Sequence, residues 1–276
     1  MLKYLGLTFL SLIALLGCDE KKVALLFLTV NELNHPGLWE RQLKDDPHFS
    51  VYVHSKNEMQ NPFFAKYRIA NIVPTSWSRH MRAWQELLRE AVKDPANTKF
   101  VFLSDSCIPL SSLNEIYQRL TQDNLSSMRF RQPWWDRRGP REIEEIPEAH
   151  RFGNGEWVIL NRRYAELIAN DDLILPLASQ HEMDVESYHS SLFSYHGCLE
   201  DPELCNREST FAKWDQNENH PYQYQGKDNP YLFCENNGYN LELLKEAKNK
   251  GFFFARKISA SFPEEVLEEL MHVKSK

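Results

Sequence analysis

Hydrophobic positions along the chain form short continuous runs separated by stretches of helical period. VALLFLTV (23–30) is apolar at nearly every position, as in a strand covered on both faces. A helical stretch around 38–43 follows, and then the strand-like FSVYVHS and IANIVP. Over 76–92, Met81, Trp84, Leu87, Leu88, Ala91 and Val92 recur on one helical face. KFVFL (99–103) reads as a second buried strand and stops abruptly in Ser104-Asp105-Ser106-Cys107. Ser112-Leu113-Asn114-Glu115 is a capping box, opening a helix with the stripe Leu113, Ile116, Tyr117 and Leu120. WVILNRRYAELI predicts a strand and a helix, GFFFARKIS a last strand-like run, and SFPEEVLEELM a closing helix. The charged, proline-containing residues 132–155 read as a long loop over the site.

This βαβα rhythm predicts an α/β fold, a doubly wound and mostly parallel sheet with helices on both faces, in one domain over 23–276. Such sheets bind ligands beyond the carboxyl ends of their strands. The polar ends Thr29-Val30-Asn31, Val53-His54-Ser55 and Ser104-Asp105-Ser106 are therefore the first candidates. Neither Gly-x-Gly-x-x-Gly nor a phosphate loop occurs, so dinucleotide and P-loop binding are not suggested.

The N-terminus adds a separate expectation. Residues 1–18 carry one early cation, Lys3, an apolar run over 4–16 and the ending Leu15-Leu16-Gly17-Cys18. The run is short for a bilayer span and has the length of a signal-peptide core. Its ending resembles a bacterial lipobox, in which Cys18 becomes the lipidated residue; an uncleaved anchor is the alternative. Either way the expectation is membrane attachment through the N-terminus. The other cysteines, Cys107, Cys198, Cys205 and Cys234, lack paired C-x-x-C spacing, which argues against zinc. Cys198 and Cys205 are placed for a disulfide if the chain is exported.

The formal charge of −7 argues against an electrostatic grip on nucleic acid, although local basic clusters can exist within an acidic protein. Aromatic residues sit beside polar ones in WWDRR, NGEW and HPYQYQ, a mixture found in sugar-binding sites and in ordinary cores alike. A sugar-transfer site needs a base for the acceptor hydroxyl and positive charge for a departing diphosphate. Asp105 is the only carboxylate of its turn, too few oxygens for a divalent cation; it is either a turn-former or a ligand-facing group. Arg256-Lys257 is either a solvated strand end or the cation pair. Glu182, Asp184 and Glu186 offer bases near a helix start, where the helix dipole favours acids in any case. Asp184-Val185-Glu186 also imitates a metal motif. His181 and His189 read equally as surface or catalytic residues.

A resemblance changes these odds. LFLTVNELNHPGLWE, YVHSK, SWSR, KFVFLSDSCIPL, GNGEWVILNRRYAELI, VESYHSSL, NRESTFAKWD with the later His220-Pro221, and FFFARK occur in the order and spacing of the core-2/I-branching N-acetylglucosaminyltransferases, especially their plant and bacterial branch. The chain resembles that family from about Val23 onward. The resemblance implies a GT-A fold, a UDP-sugar donor, a glycan acceptor, inversion at the anomeric carbon and no metal or other cofactor. It implies that Glu186 is the base, although Val185 stands where the family carries an acid. Lys257, with Arg256 beside it, implies the diphosphate contact. Val30, Asn31 and His54 fall near the UDP-binding strand ends, with His54 where an aspartate is frequent. Asp105 falls in the turn lining the donor cleft, and Trp157 on the acceptor side. A carbohydrate-binding protein of the same fold without turnover is the alternative; a glycoside hydrolase would need two opposed carboxylates, and no convincing pair stands out.

Overall fold

The computed structural model of the protein describes residues 21–132, 143–214 and 230–272. Strand Lys22–Thr29 (β1) is followed by helix Pro36–Leu43 (α1) and strand Phe49–Ser55 (β2). Helices Pro62–Ala65 (α2) and Met81–Ala91 (α3) lead to strand Asn97–Ser104 (β3). Strand Ile108–Pro109 (β4) and helix Leu113–Thr121 (α4) come next. Four short strands follow, Ser126–Ser127 (β5), Phe130–Arg131 (β6), Gly153–Asn154 (β7) and Ile159–Asn161 (β8). Helices Arg162–Ala169 (α5), Ile174–Ala178 (α6) and Tyr188–Tyr195 (α7) precede strands Leu204–Cys205 (β9) and Thr210–Ala212 (β10). Helix Gly238–Asn249 (α8), strand Phe254–Arg256 (β11) and helix Glu264–His272 (α9) end the described chain.

The main sheet has the order β2-β1-β3-β8-β5-β9, and β8 alone of these strands runs against the rest. With helices on both sides, it is the α/β sheet that the pattern predicts, and its mixed form agrees with the GT-A-like fold that the resemblance implies. The chain steps from β1 outward to β2 and then back across to β3, so the carboxyl ends of β1 and β3 form the switch point of the sheet. A smaller sheet, β10-β11-β4, stands beside it.

Alternation along β1 feeds two cores. Ala24 and Leu26 pack with Trp84, Leu87 and Leu88 of α3 and with Phe100 and Phe102 of β3. Val23, Leu25 and Phe27 pack on the opposite face with Trp39 of α1, Val101 and Leu103 of β3, and Ile116 of α4. Each large side chain so buried contributes about 1.5–3 kcal/mol relative to exposure, which is why β1 reads as a continuous apolar run. A third core joins Ile108, Ala255, Leu244 and Leu267 from the small sheet and the last two helices. Leu38 of α1 belongs to that core as well, and Arg41 of α1 pairs with Glu264 of α9 at 2.8 Å, fastening the C-terminal layer to the first helix.

The predicted α4 is met closely: Ser112 Oγ accepts the Glu115 amide at 3.3 Å, and its four predicted stripe residues are all buried. Four expectations are corrected. IANIVP is not a strand; it runs beside β2 through Ile69 N–H to Val53 O (2.9 Å) and leaves the ladder before Pro74, which has no N–H to give. The helix expected over 76–92 starts at Met81, because Ser78 adopts φ 61° and breaks the helical path. Within 132–155 the described part holds a hairpin strand, β7, which pairs with β6. Cys107, Cys198, Cys205 and Cys234 are free thiols, so the expected Cys198–Cys205 bridge is not made. The leader with Cys18 lies outside the described residues, and no described helix is long and apolar enough to cross a membrane.

Candidate active site

The strand ends at the switch point are stitched together by backbone bonds. Asn34 N–H donates to Asp105 O at 2.9 Å, tying the segment after β1 to the turn after β3. Ile258 N–H donates to Ser106 O at 2.9 Å, tying the segment after β11 to the same turn. The Cys107 thiol points inward and accepts the Ser104 amide at 3.3 Å, so it closes the turn and is no nucleophile. Trp39 Nε1 donates to Cys107 O from beneath at 3.1 Å. A turn of Ser-Asp-Ser-Cys thus ends a buried strand with its polar groups satisfied locally, leaving Asp105 to face outward.

Beyond these ends opens a cavity of about 930 Å³. Val30, Asp105, Trp157, Glu186, Arg256 and Lys257 line it, although they come from five separate parts of the chain. Asn31 and His54 do not. The Asn31 side chain accepts from Asn57 Nδ2 at 2.7 Å, and His54 is fully buried, its Nε2 accepting the Val73 amide at 3.1 Å. His54 therefore anchors the extended segment beside β2. The fallback bases Asp184 and Glu182 are also off the cavity: Asp184 is buried behind it and Glu182 is on the surface. His189 is buried in the core, where desolvation pushes its imidazole down to about 4, and His181 pairs with Glu145 at 2.6 Å.

Positive charge is concentrated at the end of β11. The Arg256 guanidinium lies 4.0 Å over the Trp157 ring, and its buried Nε has no hydrogen-bond partner among the described residues. An unsatisfied, stacked guanidinium suits a phosphate or carboxylate oxygen. Burial and the neighbouring Arg256 push the Lys257 ammonium down, and Asp105 and Glu156 pull it back up. Burial raises the Asp105 carboxyl, against the pull of Arg256, Ser106 and Lys257.

On the other wall stands an ion pair that the sequence reading misses. Glu156 Oε1 is 2.7 Å from His80 Nε2 and accepts from Trp84 Nε1 at 3.2 Å. Burial alone would raise the Glu156 carboxyl, but His80, Arg256 and Trp84 together hold it below its ordinary value. Burial alone would lower the His80 imidazole, but Glu156, the Ser76 carbonyl and Asp184 together raise it. The two directions agree on a charged pair. Its one sequence signal is an acid set immediately before Trp157 in an otherwise apolar strand approach.

Glu186 sits in the 3₁₀ turn Asp184–Glu186, entered through Met183 in a left-handed conformation. Asn154 Nδ2 donates to Val185 O at 2.9 Å and holds the turn from β7. Asp184 does not line the cavity, and its Oδ1 accepts the His80 amide at 3.1 Å. The pair Asp184 and Glu186 thus diverges, and among the described residues no group of three or more His, Cys, Asp or Glu is placed to hold a metal ion. The rim carries two exposed indoles, Trp77 and Trp214.

The cavity combines a carboxylate with solvent access, paired cations and aromatic walls. A family model described as Core-2/I-Branching enzyme matches residues 23–237. Glycosyltransferase BC10 of Oryza sativa subsp. japonica is 28% identical over 296 residues, covering 86% of this chain and 74% of that protein.

Proposed function

The chain belongs to the core-2/I-branching enzyme family and is a glycosyltransferase, and from that premise we propose an inverting, metal-independent transfer from a UDP-sugar to a glycan hydroxyl. The donated sugar in this reading is N-acetylglucosamine or a close relative. The observation that carries the reading is the meeting of Glu186, Arg256 and Lys257 on one cavity at the carboxyl ends of β1 and β3. The UDP lies at the switch point, against Val30 and Asp105, with its diphosphate toward Arg256 and Lys257. Trp157, held flat by Arg256, offers its exposed part to the sugars.

The reaction is a single displacement. Glu186 takes the proton of the acceptor hydroxyl as its oxygen bonds to the anomeric carbon from the face opposite the diphosphate. The bond from that carbon to the phosphate oxygen breaks, and the electron pair leaves with UDP. Arg256 and Lys257 offset the charge that builds on the leaving oxygens. The lone Asp105 and the divergence of Asp184 from Glu186 support a reaction in which these cations replace a metal.

UDP release from a panel of UDP-sugars, with and without mixed oligosaccharide acceptors and EDTA, tests the proposal. Donor-dependent, acceptor-stimulated release that persists in EDTA is expected. Loss on chelation with recovery in manganese overturns the metal-free reading. UDP binding without release from any donor favours a carbohydrate-binding protein without turnover.

A further inference from the structure

We infer that Asp184 is a positioning residue: its carboxylate fastens the Glu186-bearing turn to the first amides of α3 and so sets where Glu186 stands in the cavity. This rests on the reading of Glu186 as the base. Asp184 Oδ1 accepts the amide of His80 at 3.1 Å and that of Met81 at 3.4 Å, two donors that the helix itself leaves unpaired. No side chain of the His80 N-cap residue does this, so the cap of α3 comes from a residue more than a hundred positions away.

The two segments joined by this contact are both locally unfavourable. Met183, which opens the turn, has φ 61° and ψ 42°, and Ser78, two residues before His80, has φ 61°. Non-glycine residues hold such conformations when their surroundings over-determine them, and such sites cluster at functional centres. Here the bond between Asp184 and α3 supplies that constraint directly across the cavity wall. The rest of the turn is fixed by Asn154 Nδ2 to Val185 O and by Glu186 N–H to Met183 O, each at 2.9 Å. Loss of the Asp184 contact therefore removes the turn's hydrogen bonds to α3 while its tie to β7 remains. The base rides on that turn, and a displacement near 1 Å in such a group reduces rate by about a hundredfold.

The carboxylate is held in place against its own solvation. It is 3% exposed, faces the His80 imidazole and Glu156 across the wall, and shares its turn with Glu186. Burial pushes it up to about 6. A buried acid in such surroundings has no role in solubility, and the geometry gives it one in placement.

Three variants of the full chain test the inference. In Asp184→Ala, hydrogen exchange followed by mass spectrometry is expected to speed at least tenfold at the Glu186, His80 and Met81 amides. Steady-state release of UDP from UDP-N-acetylglucosamine, measured well below the melting temperature, is expected to lose about tenfold to a hundredfold in kcat with donor KM unchanged. Asp184→Asn keeps an acceptor oxygen and is expected to recover most of both losses. Unchanged exchange at Glu186 in Asp184→Ala overturns the inference, as does a wild-type kcat in a turn that exchanges faster. Glu186→Gln is the separate control: if it releases UDP like the wild type, the base assignment fails, while the exchange result still reports whether Asp184 holds the turn.

Discussion

Replacing Asp184 with asparagine should stabilise the protein, and by an amount that grows with pH. In the folded chain burial lifts this carboxyl from its ordinary 3.8 to about 6. The folded state therefore binds its proton more tightly than the unfolded state does. Protonated Asp184 contributes stability at acid pH, and that contribution is lost as pH rises through 6. Linkage over these two values gives a loss of about 1.4 kcal/mol between pH 5 and 7.5, and about 3 kcal/mol for the whole shift. Asparagine does not titrate and keeps an oxygen for the His80 and Met81 amides, so the variant escapes the loss. Urea unfolding of both proteins at half-unit steps from pH 5 to 7.5 reads the difference, in which titrating groups remote from Asp184 cancel; His80, whose imidazole Asp184 helps to raise, adds a contribution of its own. The stability of Asp184→Asn minus that of the wild type should rise by about 1.4 kcal/mol across the range. A flat difference refutes the reasoning and means that the α3 amides and His80 fully offset the burial of the charge, and one that falls with pH means that they over-compensate it.

Glu156→Gln should weaken the part His80 plays in stability: the raised imidazole stabilises the wild type below pH 6.5, whereas without Glu156 only the Ser76 carbonyl and Asp184 oppose the lowering by burial, so the variant should lose more melting temperature relative to wild type at pH 5.5 than at pH 8. Lys257→Ala should weaken UDP about tenfold to a hundredfold by calorimetry, the usual range for a charge-assisted contact, and slow transfer as well. Trp157→Ala should raise acceptor KM and also weaken UDP modestly, because the Arg256 guanidinium loses the ring it lies on; an unchanged UDP affinity would mean that Arg256 needs no such support.

Some of this architecture is written locally and some is not. The α4 helix declares itself in the four residues of its capping box, Ser112–Glu115, and the apolar stripe that follows, because capping and the 3.6-residue period are local. The β1 run is legible for the same reason: both of its faces are buried, so no polar position interrupts it. The three strand ends were locatable by counting, yet the count does not say which way a side chain turns. Val30 faces the cavity, while Asn31 beside it reaches to Asn57, and His54 is drawn inward by the Val73 amide. Those outcomes depend on loops whose positions no local pattern encodes. The His80–Glu156 pair was hidden more deeply, since its partners are 76 residues apart and each looks ordinary alone. Asp184 misled in a different way: near Glu186 it reads as a spare base or half a metal motif, and only the position of α3 gives it another partner.

The backbone bonds between Asn34 and Asp105 and between Ile258 and Ser106 have an evolutionary consequence. Main-chain amides and carbonyls are the same for nearly every residue, so the frame around the cavity is blind to point mutation except to proline at 34 or 258. Side chains at Trp77 and Trp214 are exposed on that frame and can be exchanged at little expense to the fold. A lineage can therefore change which glycans the rim meets by repainting it while the scaffold around the cavity keeps its shape.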